Sequence, residues 1–163
     1  MIQQLSLQLD NKPGSLGRYV GLFAEKGVNI KALEVTERGS GESGIVHVIV
    51  SDLKKATAAL AEAKMRFVVE DVLAVEMDDR VGGLAPILAV LARREINLRY
   101  LYAFLGRVAG KSLAVFSVED VPRAERVLAE EGVTVVSQTE MREDTKHNFK
   151  TSLVDHFGKD FIW

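Results

Sequence analysis

The chain has 163 residues, 47% of them hydrophobic and 27% charged, and its 21 Lys and Arg against 23 Asp and Glu leave a formal charge of −2. That length holds one ordinary domain or two small ones, with enough chain for a core that needs no staples. The absence of cysteine excludes disulfide frameworks, thiolate metal sites and cysteine nucleophiles, and the near balance of charge argues against a protein built to neutralise phosphates. The start, Met1-Ile2-Gln3-Gln4-Leu5-Ser6, has neither the basic nor the apolar segment of a secretory signal. The longest apolar stretch, Leu84 to Ala92, falls far short of the roughly 20 residues that cross a bilayer. A cytoplasmic location is the expectation.

Leu5, Leu7 and Leu9 alternate with Ser6 and Gln8, the period of a half-buried strand. Leu16, Val20, Phe23 and Ala24 recur at helical spacing, and Gly27 stands where a glycine would end that helix. Ile30 to Glu37 reads as a second strand, Arg38 to Ser43 as a hairpin loop and the β-branched run Ile45 to Val50 as a third strand. Asp52 is placed to cap a helix carrying Ala56, Ala59, Leu60 and Ala63, and Arg66 to Val69 predicts a fourth strand. The remainder predicts strands near 71–77, 98–105, 112–118 and 133–139 and helices near 84–95 and 120–131, with Pro86 and Pro122 in first turns.

This order is a repeat. A shift of 68 positions aligns the halves without a gap: Asp10 to Leu16 falls on Asp78 to Leu84, Val28-Asn29-Ile30 on Ile96-Asn97-Leu98, and Leu60-Ala61-Glu62 on Leu128-Ala129-Glu130. Each half reads βαββαβ, which predicts an α+β protein of two ferredoxin-like units in tandem, with antiparallel sheets carrying helices on one face. The expected boundaries are 1–70, 71–140 and a C-terminal extension at 141–163. In that extension Leu153, Val154, Phe157 and Phe161 recur near helical spacing, with Trp163 at the end. The aromatics suggest docking onto its own domain, a second chain or a partner.

Asp10-Asn11-Lys12-Pro13-Gly14-Ser15-Leu16, followed by a helix and then Gly27-Val28-Asn29-Ile30, resembles the ACT domain; Asp78 to Leu84 with Glu95-Ile96-Asn97-Leu98 resembles a divergent second copy. The likeness spans roughly residues 1–140 and is to stand-alone tandem ACT proteins. It implies a non-catalytic regulatory protein of amino-acid metabolism that binds a free amino acid, with no cofactor and no metal. A regulatory subunit of an amino-acid-pathway enzyme and a pure oligomerisation module with vestigial loops are the alternatives. In that family the ligand lies between the first loop and the start of the second strand, usually where two ACT domains meet. Carried onto this chain, the ligand-binding residues are Asp10, Asn11, Lys12, Gly14, Ser15, Leu16, Asn29 and Ile30, and in the second copy Asp79, Gly82, Gly83, Leu84, Asn97 and Leu98.

The chemistry of those residue types agrees with a zwitterion. Backbone N–H groups opening a helix favour a carboxylate, Asp10 can accept from an ammonium, and Asn11 and Asn29 each carry a donor and an acceptor. The same stretch is also an ordinary turn with an ordinary cap. In the second loop Asp79 replaces Asn, Val81 replaces Pro and Glu95 replaces the helix-ending Gly, so that site reads as weaker, different or empty. Leu101 and Ala103 align with Leu33 and Val35, taken to face the helices, which turns Tyr100, Tyr102 and Phe104 to the other side of the sheet. Three rings there predict burial between domains or in a homodimer. The three histidines form no metal set and no catalytic group is in sequence order. RNA binding is disfavoured because the third strands lack stacking aromatics apart from Phe116. The partners expected are therefore a free amino acid, a second copy and a metabolic enzyme, with no nucleic acid and no membrane.

Overall fold

The computed structural model describes residues 1–38, 43–104 and 111–143. The predicted hairpin tip and most of the C-terminal extension, with its Phe and Trp residues, lie outside the described residues. The first repeat runs β1 (Ile2–Asp10), α1 (Ser15–Glu25), β2 (Ile30–Arg38), β3 (Ser43–Val50), α2 (Leu53–Glu62), then β4 (Phe67–Asp78). The second follows as α3 (Ala85–Arg93), β5 (Leu98–Phe104), β6 (Lys111–Val118), α4 (Val121–Glu130), β7 (Val135–Val136) and α5 (Gln138–Glu143).

The sheet order is β2-β3-β1-β4-β6-β5, with β7 also on β4 and every pairing antiparallel. β4 belongs to both repeats. Its first half pairs with β1 (Leu5 opposite Val69) and its second half with β6 and β7 (Ala74 opposite Val115 and Val136). The two strands expected at 66–69 and 71–77 are one: Glu70 and Asp71 pair with Gln4 and Gln3 of β1, and the change of partners falls between Val72 and Leu73. The boundary expected at 70/71 falls inside this continuous strand.

The repeat is exact in its turns. Asp52 accepts the Lys55 N–H at 3.0 Å and Asp120 the Arg123 N–H at 2.9 Å, capping α2 and α4. The helix ends close alike: Val28 N–H reaches Phe23 O at 2.8 Å, and Ile96 N–H reaches Leu91 O at 2.9 Å. The strand expected over 133–139 shortens to Val135–Val136, because Ser137 and Glu140 form a capping box (Ser137 N–H to Glu140 Oε2 2.7 Å, Glu140 N–H to Ser137 Oγ 3.3 Å) that starts α5.

Three cores result. Leu5, Leu7, Val46 and Val48 face Phe23, Ala56 and Leu60 of α1 and α2. Leu73, Val75 and Phe116 face Ile87, Leu91 and Leu128 of α3 and α4. The helix-free faces close on one another, packing Ile2, Ala32, Ile49 and Val72 with Ala74, Leu113, Val115 and Val136. The curled sheet is therefore the middle of the molecule and the helices its outer layers. Tyr100 and Tyr102 point into this middle layer, where Tyr102 O–H donates to Gln4 Oε1 at 2.9 Å and Tyr100 stacks on His47. The Phe104 side chain lies outside the described residues. Leu33 and Val35 do stand on the helix side, opposite Val48 and Val46, yet they are 39% and 46% exposed. β2 is the edge strand, beyond the cover of the helices.

Candidate functional site

The chain leaves β1 at Asp10 through two tight backbone bonds, Lys12 N–H to Asp10 O at 2.8 Å and Ser15 N–H to Lys12 O at 3.1 Å. Gly14, at φ 85°, occupies the N-cap of α1, and no side chain caps that end. A Cβ at Gly14 would meet nothing within 4 Å, so left-handed backbone, not crowding, calls for glycine there.

Beside this turn is a cavity of about 310 Å³ lined by Gln8, Asp10, Ser15, Arg18, Tyr19, Met65 and Arg66. Among the described residues nothing bonds or ion-pairs with the Asp10 carboxylate. Tyr19 donates to Gln8 O at 2.5 Å, and burial raises its phenol pKa. One carboxylate, two guanidinium groups and an uncapped helix start thus surround a volume of small-ligand size. Ser15, Arg18 and Tyr19 fall at helical spacing on the first turn of α1, which the sequence could have indicated. Arg66 and Met65 arrive only through the pairing of Leu7 with Phe67.

The other expected residues separate. Asn11 turns to the β2–β3 hairpin, its Nδ2 donating to Glu37 Oε1 at 3.4 Å beside a cavity of about 90 Å³ that also involves Val35 and Gly44. Lys12 is exposed on the turn. Asn29 bonds through its backbone to Ser51, N–H to Oγ at 3.0 Å and O from N–H at 2.8 Å. Asp10 is level with Ser43 and Arg38, whereas Ile30 is level with Val50, so loop and Asn29 stand at opposite ends of the sheet. The expectation that Asn29 lies beside the loop therefore does not hold within one chain: α1 carries the chain back along the length of β1 before β2 begins. Leu16 and Ile30 pack against the first core rather than lining the cavity.

In the second loop, Asp78 accepts from Lys111 Nζ at 2.7 Å and Arg80 Nε at 3.1 Å. These bonds hold its carboxyl below the usual range, Lys111 first. Asp79 and Asn97 are exposed, and Leu84 and Leu98 pack against the second core. Gly82 is at φ 78°, and a Cβ on Gly83 would fall 2.0 Å from Asp78 O. Among the described residues no group of three or more His, Asp or Glu could hold a metal, and no helix is long and apolar enough to cross a membrane.

Two βαββαβ units sharing one sheet, each with a loop-to-helix turn after its first strand, define a tandem of ferredoxin-like domains. The profile of the ACT domain pair family matches residues 1–144, and the chain belongs to that family. It is similar to protein BT0572 from Bacteroides thetaiotaomicron, at TM-score 0.80 and 27% identity over 87% of this chain and 96% of that one. The fold is also that of the regulatory subunit of aspartate kinase from Thermus thermophilus, at TM-score 0.56 and 15% identity over 78% of this chain and 90% of that one. A structure of aspartokinase alpha and beta subunits gives TM-score 0.54 and 19% identity over the same shares, 78% and 90%. No curated protein matches the chain.

Proposed function

We propose that the chain is a non-catalytic sensor of a free amino acid, bound at the turn of the first repeat. The observation that carries this reading is the set of charges lining the 310 Å³ cavity: the Asp10 carboxylate, the Arg18 and Arg66 guanidinium groups and the uncapped start of α1. Asp10 takes the ammonium. The two guanidinium groups and the helix N–H groups take the carboxylate. Occupancy is transmitted by strengthening an interface with a second copy or with a metabolic enzyme, the role the family tie and its aspartate kinase regulatory neighbours support. A thermal-shift screen of the twenty amino acids tests it. A ligand that binds only the folded state at a hundredfold excess over its Kd adds about 2.7 kcal/mol of stability. No shift with any of the twenty sinks the reading and leaves an assembly module.

A second arrangement is favoured by the apolar edge. Leu33 and Val35 are 39% and 46% exposed on β2, the edge strand of the sheet. Antiparallel pairing of β2 with a second copy would cover them and bring the start of one β2 to the end of the other. The partner's Asn29 would then approach the loop, joining residues that one chain keeps apart. Mixing chains settles which arrangement holds. Asp10→Asn and Asn29→Ala each weaken binding alone in the cross-chain site, but a mixed dimer regains one intact site. In a single-chain site Asn29→Ala binds normally and mixing restores nothing to Asp10→Asn.

A further inference from the structure

The helix-free faces of the two repeats do not meet everywhere. Beside their shared apolar layer they leave a cleft of about 520 Å³, with Ser6, Ile45, His47 and Glu70 contributed by the first repeat and Arg99 and Tyr100 by the second. Its floor is a connected polar network. Ser6 Oγ lies 2.8 Å from His47 Nδ1 and also donates to the Glu70 carboxylate. The Gln4 amide nitrogen lies 3.2 Å from His47 Nδ1 and donates to the Tyr100 hydroxyl, while Tyr100 stacks on the imidazole at 4.2 Å and 19°.

The fold does not require this network. Gln4, Ser6 and His47 correspond in the repeat to Val72, Ala74 and Val115, all buried and apolar in the same middle layer. At these three positions the second repeat is apolar and the first is polar, and buried polar groups cost stability unless they are hydrogen-bonded, as they are here. The cleft lining carries two carboxylates, Glu37 and Glu70, against the guanidinium of Arg99, which donates to Val118 O at 2.7 Å. Among the described residues no Lys or Arg ion-pairs with Glu70, which accepts from Ser6 and, at 3.4 Å, from the Tyr100 hydroxyl. On the same sheet face, opposite His47, Glu34 holds a buried Oε2 without a hydrogen-bond partner among the described residues.

We propose that this cleft is a second ligand site, for a small organic cation: an ammonium on a short apolar stem. Glu70 is its charge partner, the Ser6 and Tyr100 hydroxyls orient it, the Tyr100 ring offers a cation–π face and Ile45 with Val68 covers the stem. Because both repeats line the cleft, such a ligand links them directly. The site is separate from the turn at Asp10, and either can exist without the other.

The test is a titration of the full chain with n-butylammonium chloride, and with sodium butyrate as the control, followed by NMR of the His47 and Tyr100 rings and the Ser6 and Glu70 amides. The expected result is a saturable shift at these four residues with the amine and none with the carboxylate, weakened about tenfold or more by Glu70→Gln. Ser6→Ala, which installs the residue the second repeat carries, should weaken it too and serves if Glu70→Gln does not fold. Absence of a saturable shift, an equal response to butyrate, or undiminished binding in the folded variants overturns the proposal. Shifts confined to residues 10–16 also overturn it, while leaving the reading of the first turn standing.

Discussion

The turns at 10–16 and 78–84 share a glycine at positive φ and one closing bond, and differ in crowding and in electrostatics. Both set a glycine at positive φ before a helix, φ 85° at Gly14 and 78° at Gly82, and both close with the same N–H to carbonyl bond, at 3.1 Å from Ser15 and 3.0 Å from Gly83. What separates them lies on the neighbouring strand. Asp10 faces Ser43 across β1 and β3, while Asp78 faces Lys111 across β4 and β6. Lys111 and Arg80 occupy the Asp78 carboxylate, and Asp10 keeps its own available beside a cavity. A duplicated turn can thus keep its glycine and have its carboxylate engaged, here by Lys111 on the adjacent strand and Arg80 in the turn itself.

The largest effect should come from crowding in the second turn. Gly83→Ala puts a Cβ 2.0 Å from the Asp78 carbonyl oxygen, so backbone must move, and urea denaturation should show a loss of about 3 kcal/mol. The aligned Ser15→Ala should stay within about 0.5 kcal/mol. Similarly small losses in the two would mean that the crowding at Gly83 is relieved without cost.

Binding comes next. Asp10→Asn should weaken the amino acid found by screening by about 2 kcal/mol in calorimetry, the value of a charge-assisted bond, and Asp78→Asn should leave it unchanged. Ser43→Lys should reproduce the second turn's ion pair in the first and weaken binding in the same direction. Full affinity in Asp10→Asn would move the site away from this turn.

A smaller contrast is built into the helix ends. The left-handed residue after α1 is Gly27 at φ 64°, and its counterpart after α3 is Glu95 at φ 52°; after α2 it is Lys64 at φ 54°, and after α4 Gly132 at φ 75°. Gly27→Ala should cost about 1 kcal/mol and Glu95→Gly should gain up to about 1 kcal/mol in thermal unfolding. Opposite signs are the point; a loss in both would show that the Glu95 side chain contributes more than its backbone strain.

The smallest effect is in acid. The Asp78 carboxyl is held below its ordinary range by Lys111 and Arg80, so the folded state favours its ionised form. That contribution is complete above the unfolded-state pKa of about 3.9 and disappears as pH falls through it toward the folded value. Because the group is exposed, the melting curve of Asp78→Asn should differ from the parent slightly at neutral pH and not at all once both are in strong acid.

Much of this was legible in the residues. The 68-residue repeat, the βαββαβ order, the capping role of Asp52 and the placing of Tyr100 and Tyr102 opposite the helices follow from local periodicity and side-chain chemistry, which act over a few residues. Two elements differ from that reading, for different reasons: the break expected near Glu70 dissolves because β4 gains a second set of partners, and the strand over 133–139 yields to a local capping box. Leu33 and Val35 face the helix side as expected, yet stay exposed on the edge strand.

Sequence by itself determined what each turn is made of: a glycine for positive φ and an aspartate ending a strand. Only tertiary structure decided which of those turns is open. Arg66 joins Asp10 in lining one cavity through the pairing of β1 with β4, Lys111 reaches Asp78 through the pairing of β4 with β6, and Asn29 is carried to the far end of the sheet by the length of α1. Strand register sets these distances, and register arises from contacts between residues far apart in the chain, to which local pattern is blind.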